Sequence, residues 1–247
     1  LRTAQTAENL AAITWELGDY VQTLHLFAQA VDAQERQLML QMNSQHNSEA
    51  DKLAFVNMLQ ETADSLITFQ RTVAQKAQTD RKLRALAEQS AALTLRALLQ
   101  RKGRVLEAQI GSSPALLATL DSSGQQLANT WRDKVSQLSQ LTLQGIQQSG
   151  SPQQRAALSA LKTEVNELTK QLQKRSAPFA ERHLPVDLSM VRVALPKTAL
   201  LAEYAIYRPF EVAARQQDHA WGAPRYSLVA FDSTGRIGVH DSGRWQH

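Results

Sequence analysis

The feature that most constrains this chain of 247 residues is its lack of proline before Pro114. Proline is the strongest helix breaker, whereas the Ala, Leu, Gln and Glu that dominate this segment are good helix formers. Hydrophobic residues make up 43% of the chain, which is enough to bury a sizeable core. The sequence therefore predicts a mainly α-helical protein over at least its first hundred or so residues.

Composition excludes several kinds of chemistry. The chain has no cysteine, so it supplies no disulfide, thiolate metal site or cysteine nucleophile. Its six histidines show no metal-ligand spacing, and we expect no metal and no cofactor. No apolar run approaches the roughly 18–20 residues that span a bilayer, so we expect no membrane partner. The absence of cysteine fits a cytoplasmic protein.

The segment 7–34 has the pattern of two amphipathic helices separated by a break at Gly18 and Asp19. One apolar face of the first helix is formed by Leu10, Ile13 and Leu17. The apolar face of the second is formed by Leu24, Phe27, Ala30 and Val31. A tight antiparallel helical hairpin is predicted.

This hairpin resembles a tetratricopeptide repeat (TPR) at the turn "GDY" (18–20), the aromatic Phe27 and the small Ala30. The resemblance implies that residues 1–40 form one repeat, the last of a longer array. It also implies a partner-binding groove whose lining residues are Glu8, Ala12 and Trp15. Two alternatives stay open: Trp15 packs against a preceding repeat, or the segment is an ordinary helical hairpin.

The stretch "LLQRKGRVLEAQ" (98–109) places Arg101, Lys102 and Arg104 around Gly103. A phosphate-binding loop would need several glycines and a preceding strand, which are missing. The apolar spacing instead continues a helix capped by Asp80, with the basic residues facing water or a neighbouring acidic surface. Nucleic-acid binding through a basic face is the less favoured alternative, since a net charge of +4 is modest. Its candidate phosphate contacts are Arg81, Lys82, Arg84, Arg101, Lys102, Arg104, Lys170, Lys174 and Arg175.

Two further helices are predicted at about 125–147 and 152–175, after a loop at 110–126. The second has an unbroken heptad seam, and a short turn at 147–154 joins the two. Together they predict an antiparallel helical hairpin over about 125–175. The seam residues are Leu158, Leu161, Val165, Leu168 and Leu172.

The pattern changes after Ser176, where five of the seven prolines occur. A short helix is predicted within 187–196, and strands are predicted at 199–210, 225–233 and 236–243, the last two forming a β-hairpin. Both faces of the first strand are apolar, which predicts a largely covered strand.

These segments resemble the beginning of a CHAT domain, a caspase-like module that follows TPR arrays in bacteria. The resemblance rests on order and spacing across "VRVALPKTALLAEYAIYRPF" and "RYSLVAFDSTGRIGVHDSG", and "QRKGRVLEA" resembles the linker that precedes the domain. The matching residues are Leu195, Pro196, Leu201, Glu203, Tyr204, Tyr207, Pro209, Phe210, Arg225, Tyr226, Phe231 and Gly243. The resemblance implies TPR-like hairpins and a coiled helix pair, followed by the incomplete start of an α/β caspase-like domain. The implied ranges are 1–40, 41–178 and 179–247.

The family's histidine–cysteine dyad has no counterpart here, and "His240-Asp241-Ser242" does not form a triad because adjacent strand residues point to opposite faces. No catalytic residue is assigned. The implied function is the regulatory and protein-interaction portion of a bacterial TPR-CHAT cysteine peptidase, whose full-length form cleaves proteins although this chain alone does not. The implied partners are a regulator at the repeat groove and the remaining CHAT sequence or a second chain that completes the sheet. The alternatives are a non-catalytic TPR scaffold and a nucleic-acid-sensing module.

Overall fold

The computed structural model of the chain describes residues 2–42, 59–110, 120–147, 152–176, 186–212 and 220–244. It is mainly helical, with a small antiparallel sheet near the C-terminus, as the sequence predicts. The α-helices are α1 (Arg2–Glu16), α2 (Tyr20–Met42), α3 (Gln60–Ala77), α4 (Arg84–Ile110), α5 (Ser122–Gln147), α6 (Pro152–Arg175) and α7 (Leu188–Ala194). The strands are β1 (Leu200–Tyr207), β2 (Arg225–Asp232) and β3 (Ile237–Arg244).

The predicted break between α1 and α2 is a tight turn at Gly18. Its φ of +81° lies in the left-handed region that favours glycine. The Asp19 carboxylate accepts from the Gln22 backbone N–H at 3.0 Å and so caps the first turn of α2. A hydroxyl contact of 2.9 Å between Thr14 and Thr23 joins the two helices beside the turn.

The hairpin buries a different face of α1 from the one that its large apolar residues suggest. The buried side consists of small residues and Trp15, whereas Leu10, Ile13 and Leu17 are exposed. Small residues let α1 approach its neighbours closely, which stabilises the packing of the larger aromatic rings around Trp15. The buried residues of α1 are Ala4, Ala7, Ala11, Ala12 and Trp15.

The chain divides into two compact units. Unit 1 comprises Leu1–Gln34, Met58–Lys102 and Val186–His247, and unit 2 comprises Glu35–Asn57 and Gly103–Pro185. Unit 1 thus combines pieces of all three ranges implied by the family resemblances. Those ranges stay predictions, because compactness in space does not test them.

The described residues of unit 1 form two apolar clusters. The first surrounds Phe69 of α3 with residues of α1, α2 and α4. The second lies between the helices and the sheet, where Ile67 and Leu95 pack with Tyr207, Val229 and Phe231. Because α3 and α4 contribute to both clusters, these two helices form the layer between the N-terminal hairpin and the sheet.

The sheet has the order β1-β2-β3, with both pairs antiparallel. Tyr207 lies opposite Arg225, and Leu200 lies opposite Asp232. The predicted hairpin between β2 and β3 turns at Gly235, whose φ is +92°. The Asp232 carboxylate organises this turn by accepting from the backbone N–H groups of Thr234 and Arg236 at 2.9 and 3.0 Å.

The covering predicted for both faces of β1 is observed for one face only among the described residues. Leu201, Glu203, Ala205 and Tyr207 face the helices, whereas Leu200, Ala202, Tyr204 and Ile206 are exposed. The apolar pattern of β1 indicates a strand that tolerates cover on both sides, but the fold places helices against one side.

Unit 2 contains the predicted helical hairpin of α5 and α6. The Trp131 Nε1–H donates to Thr169 Oγ1 at 2.9 Å, and Lys134 pairs with Glu164 at 3.1 Å, which fixes the antiparallel direction. The heptad seam faces α5 as predicted, with Leu161, Val165 and Leu172 buried. The predicted turn between the helices and the loop before α5 lie largely outside the described residues.

Candidate functional site

The three residues predicted to line a partner groove lie where α1 meets α3. Ala12 and Trp15 are buried, and the Trp15 ring meets the Phe69 ring edge-on, with centroids 5.3 Å apart and planes at 81°. A second edge-on contact joins Trp15 to Phe27 at 6.4 Å. The rings of Phe27 and Phe69 cover Trp15, so a partner could reach it only if these contacts opened. The binding role of these residues stays a prediction.

Glu8 is half-buried in a polar junction of three helices. Gln34 Nε2 of α2 donates to Glu8 Oε1 at 2.6 Å, and the Thr62 hydroxyl of α3 donates to the same oxygen. Burial raises the pKa of the Glu8 carboxyl, while the bond from Thr62 lowers it and the charge of Glu61 raises it further. Glu8 therefore joins α1, α2 and α3.

The segment after β1 connects the sheet to the aromatic cluster around Trp15. The Phe210 backbone N–H donates to Thr68 Oγ1 at 3.1 Å, which holds the segment on α3. The Phe210 ring lies 6.2 Å from Trp15 and 4.8 Å from Trp221. An isolated antiparallel bridge between Phe210 and Trp221 closes the segment. One side chain from the C-terminal part thus contacts the core of the N-terminal hairpin.

Asp64 is a buried carboxylate of α3 that faces the end of β1. Its Oδ2 lies 3.5 Å from Nε of Arg208, and Gln60 Nε2 donates to its Oδ1. Burial raises the pKa of Asp64 even though its hydrogen bonds and Arg208 lower it. The Arg208 guanidinium also stacks 5.0 Å from the Trp221 ring centroid. Arg208 therefore joins α3 to the segment that carries Phe210.

The basic stretch 101–104 lies in α4, which runs through Gly103 as predicted. Lys102 Nζ lies 2.7 Å from Glu203 Oε1 of β1, a carboxylate whose side chain is only 6% exposed. Arg101 is half-buried; burial lowers the pKa of its guanidinium, and the charge of Asp64 raises it. The side chain of Arg104 lies outside the described residues. Lys102 thus contacts an acidic residue of the same chain, one of the two positions predicted for this basic face.

A polar contact between Arg71 and Tyr207 joins α3 to the helix-facing side of β1. Tyr207 is fully buried, and Arg71 donates to its hydroxyl while lying 5.9 Å from its ring centroid. The contacts of Arg71, Asp64 and Lys102 with β1 and the segment after it make up what we call the helix–strand junction. It consists of Asp64, Arg71, Arg101 and Lys102 on the helices, with Glu203, Tyr207 and Arg208 on the strand side.

The junction holds buried charges in fixed pairs, an arrangement that positions elements relative to one another. Sequence reasoning found Lys102 and Arg101 but missed Asp64 and Arg71. A carboxylate at position 64, inside the apolar series Ala63, Leu66 and Ile67, was the available signal, because an isolated charge on a buried helix face needs a partner.

The described part of the chain contains no group of three or more histidine and acidic side chains arranged to hold a metal. His240 is exposed on β3, opposite Leu228. Of the helices described, none is long and apolar enough to cross a membrane.

Comparisons with protein-family models, with curated proteins and with solved structures find no match for this chain. The class of this protein is therefore described by its fold alone. It is a mainly helical protein in which a three-stranded antiparallel sheet packs on helices.

Proposed function

We propose that this chain is the regulatory and protein-interaction portion of a bacterial, cytoplasmic TPR-CHAT protein, whose peptidase chemistry depends on a histidine–cysteine dyad that this chain does not contain. The N-terminal hairpin binds a regulator, and the segment that carries Phe210 transmits its occupancy to the first strands of the caspase-like domain.

The observation that carries the proposal is the position of Phe210. Its ring packs against Trp15 of the hairpin, its backbone N–H is bound to α3, and it follows β1 by three residues. A movement of α1 large enough to open a groove at Trp15 must therefore disturb the segment that ends β1. Packed aromatic contacts of this kind have few alternative arrangements, so such a displacement shifts its neighbours.

Nucleic-acid binding has less support. Lys102 is held by Glu203, Arg101 is half-buried near Asp64, and Arg175 donates to Ser123 at 2.8 Å. These cations have partners within the chain, which reduces what they could offer to phosphates. Binding to RNA or DNA should be weak and should vanish at moderate salt. Tight binding that shows a steep salt dependence would favour the nucleic-acid alternative.

The coupling is tested by hydrogen exchange on the purified chain with Phe210→Ala. We expect faster exchange both in α1 and α2 around the Trp15 contact and in β1, because truncation leaves a cavity between them. Val193→Ala on α7 is the matched control, since Val193 is exposed in the same unit. Faster exchange confined to residues next to position 210, with α1 unchanged, would refute the coupling.

The catalytic part of the proposal is tested separately. The purified chain should not cleave casein, because it has no cysteine to act as nucleophile. Cleavage that persists through repeated purification and follows the chain through a size-exclusion column would exclude the assignment.

A further inference from the structure

The two edge strands of the described sheet differ in how well they are protected. An edge strand presents a row of backbone N–H and C=O groups that another strand could pair with, and natural proteins usually block this with charged side chains, β-bulges or proline. In the order β1-β2-β3, the edges are β1 and β3.

The β3 edge has several of these protective features. Its pairing with β2 is irregular between Arg225 and Ser227, as at a β-bulge, and its sequence "IGVHDSGR" contains two charged residues. The sequence of β1, "LLAEYAIY", has no proline and no basic residue. The unprotected edge is therefore β1.

The one charged residue of β1 points inward, which can protect an edge, but it is not an unpaired charge. Glu203 faces the helices and is neutralised by Lys102 at 2.7 Å. The opposite face carries an uncharged row in which Leu200 is 59% exposed, Tyr204 63% and Ile206 47%. A solvated face of an antiparallel sheet is ordinarily polar, so this row is unusual for a surface in contact with water.

We propose that β1 pairs antiparallel with β1 of a second copy of this chain, across a two-fold axis at Ala202. Only an extended strand can satisfy a row of edge N–H and C=O groups, which fixes the secondary structure of the occupant. The uncharged row allows that strand to be the chain's own copy, since no like charges meet on it. The joined sheet would have six strands, a common size.

The register follows from the contacts at the two ends of β1. Gln60 Nε2 donates to the Ile206 carbonyl at 3.2 Å, so the end near Ile206 already has a partner and the open part of the edge runs from Leu200 to Tyr204. Ala202 is the centre of that part. Pairing about Ala202 places Leu200 opposite Tyr204 of the second copy, and Glu203 opposite Leu201 rather than opposite another carboxylate.

The proposed pairing identifies the second chain that completes the sheet as another copy of this chain. It does not depend on the coupling between Phe210 and the N-terminal hairpin. Its failure would leave the hydrogen-exchange test of the proposed function unaffected, and the reverse also holds.

The first test is the mass of the intact chain in solution. Light scattering after size exclusion, over a wide concentration range, should show a species of twice 27.4 kDa that dissociates on dilution. Ala202→Lys places two like charges next to each other at the axis and should raise the dissociation constant by about tenfold or more, without changing the far-UV circular dichroism. His240→Lys, on the exposed face of β3, is the matched control and should dimerise like the parent. A monomer at every concentration, a polydisperse aggregate, or equal dimerisation of both variants would overturn the proposal.

The second test uses the absence of cysteine from the chain. Ala202→Cys introduces a single thiol at the axis, where directly opposed residues are about 4.5–5.5 Å apart at Cα, within disulfide range. Mild oxidation should give a cross-linked dimer, and His240→Cys should remain uncross-linked under the same conditions. Cross-linking of His240→Cys at the same rate as Ala202→Cys, or no cross-linking of either, would refute the pairing.

Discussion

The ion pair between Lys102 and Glu203 gives the sharpest test of the helix–strand junction. The perturbations are Lys102→Met, Glu203→Gln and the double variant, which together form a double-mutant cycle. Methionine keeps most of the length of the lysine stem, and glutamine keeps the shape of the glutamate, so each change removes charge with little change in packing.

The geometry bounds the interaction energy. At the observed 2.7 Å, two unit charges attract by about 1.5 kcal/mol in bulk water and by about 6 kcal/mol at an effective dielectric constant of about 20. The side chain of Glu203 is 6% exposed, but that of Lys102 is 62% exposed, so water screens the pair from one side. Ordering the lysine costs up to about 2 kcal/mol of rotamer entropy. We therefore expect a coupling energy of about 1–2 kcal/mol.

The two single variants should differ in cost. Lys102→Met leaves the buried Glu203 carboxylate without this counter-charge and should lower the free energy of unfolding by about 2 kcal/mol. Glu203→Gln leaves only an exposed ammonium and should lower it by about 1 kcal/mol. The double variant should then be little less stable than Glu203→Gln alone.

The assay is hydrogen exchange of the β1 amides. The chain has two compact units, so a single unfolding midpoint would combine the stabilities of both. Lys170→Met is the matched control, since Lys170 pairs with Glu167 at 3.5 Å between two exposed side chains of α6. It should change stability by less than about 0.5 kcal/mol. Equal effects of Lys102→Met and Lys170→Met, or a coupling energy near zero, would refute the view that Lys102 stabilises β1.

Four further substitutions test single positions. Gly103→Ala should slow amide hydrogen exchange in α4 by an amount that corresponds to about 0.5–1 kcal/mol, because a Cβ there meets no atom within 4 Å. Gly18→Ala should destabilise the α1–α2 hairpin by about 1–2 kcal/mol, because its φ is +81°. Burial raises the pKa of the Asp64 carboxyl above its ordinary 3.8. Its contribution to folding stability is therefore fully present below pH 3.8 and is lost as pH rises through the raised pKa. The Asp64→Asn variant should gain stability relative to the parent as pH increases from about 4 to 7. Hydrogen bonds from Thr234 and Arg236 lower the pKa of Asp232 to about 2, so its contribution is present above 3.8 and is lost as pH falls through about 2. Asp232→Asn should therefore speed amide exchange in the β2–β3 turn at pH 7, and an unchanged exchange rate would contradict this account.

The sequence predicted the elements of this fold better than it predicted their buried faces. Periodic apolar spacing predicted the helices, and capping residues marked their starts. Asp187 caps α7 by accepting from Ser189 at 2.8 Å, and Asp80 accepts from Lys82 at 2.9 Å to cap the 3-10 turn Arg81–Leu83 that precedes α4. For α1, however, two stripes have helical spacing. Leucine content favours the stripe with Leu10, but the structure buries the alanine stripe with Trp15, because a tight helix packing needs small residues on the contact side.

The junction could not have been predicted from sequence, because each of its pairs joins residues far apart along the chain. The segment Gly103–Pro185 of unit 2 lies between Lys102 and Glu203 in sequence, and Asp64 and Arg208 are 144 positions apart. The sequence does predict the need for such partners: an acidic residue on a strand with two apolar faces, or on a buried helix face, must be neutralised. What decides the pairing is the position of α4 between the hairpin and the sheet. The basic residues at 101 and 102 therefore serve first as counter-charges within unit 1, and only charges that remain after this pairing can contribute to recognition of a partner.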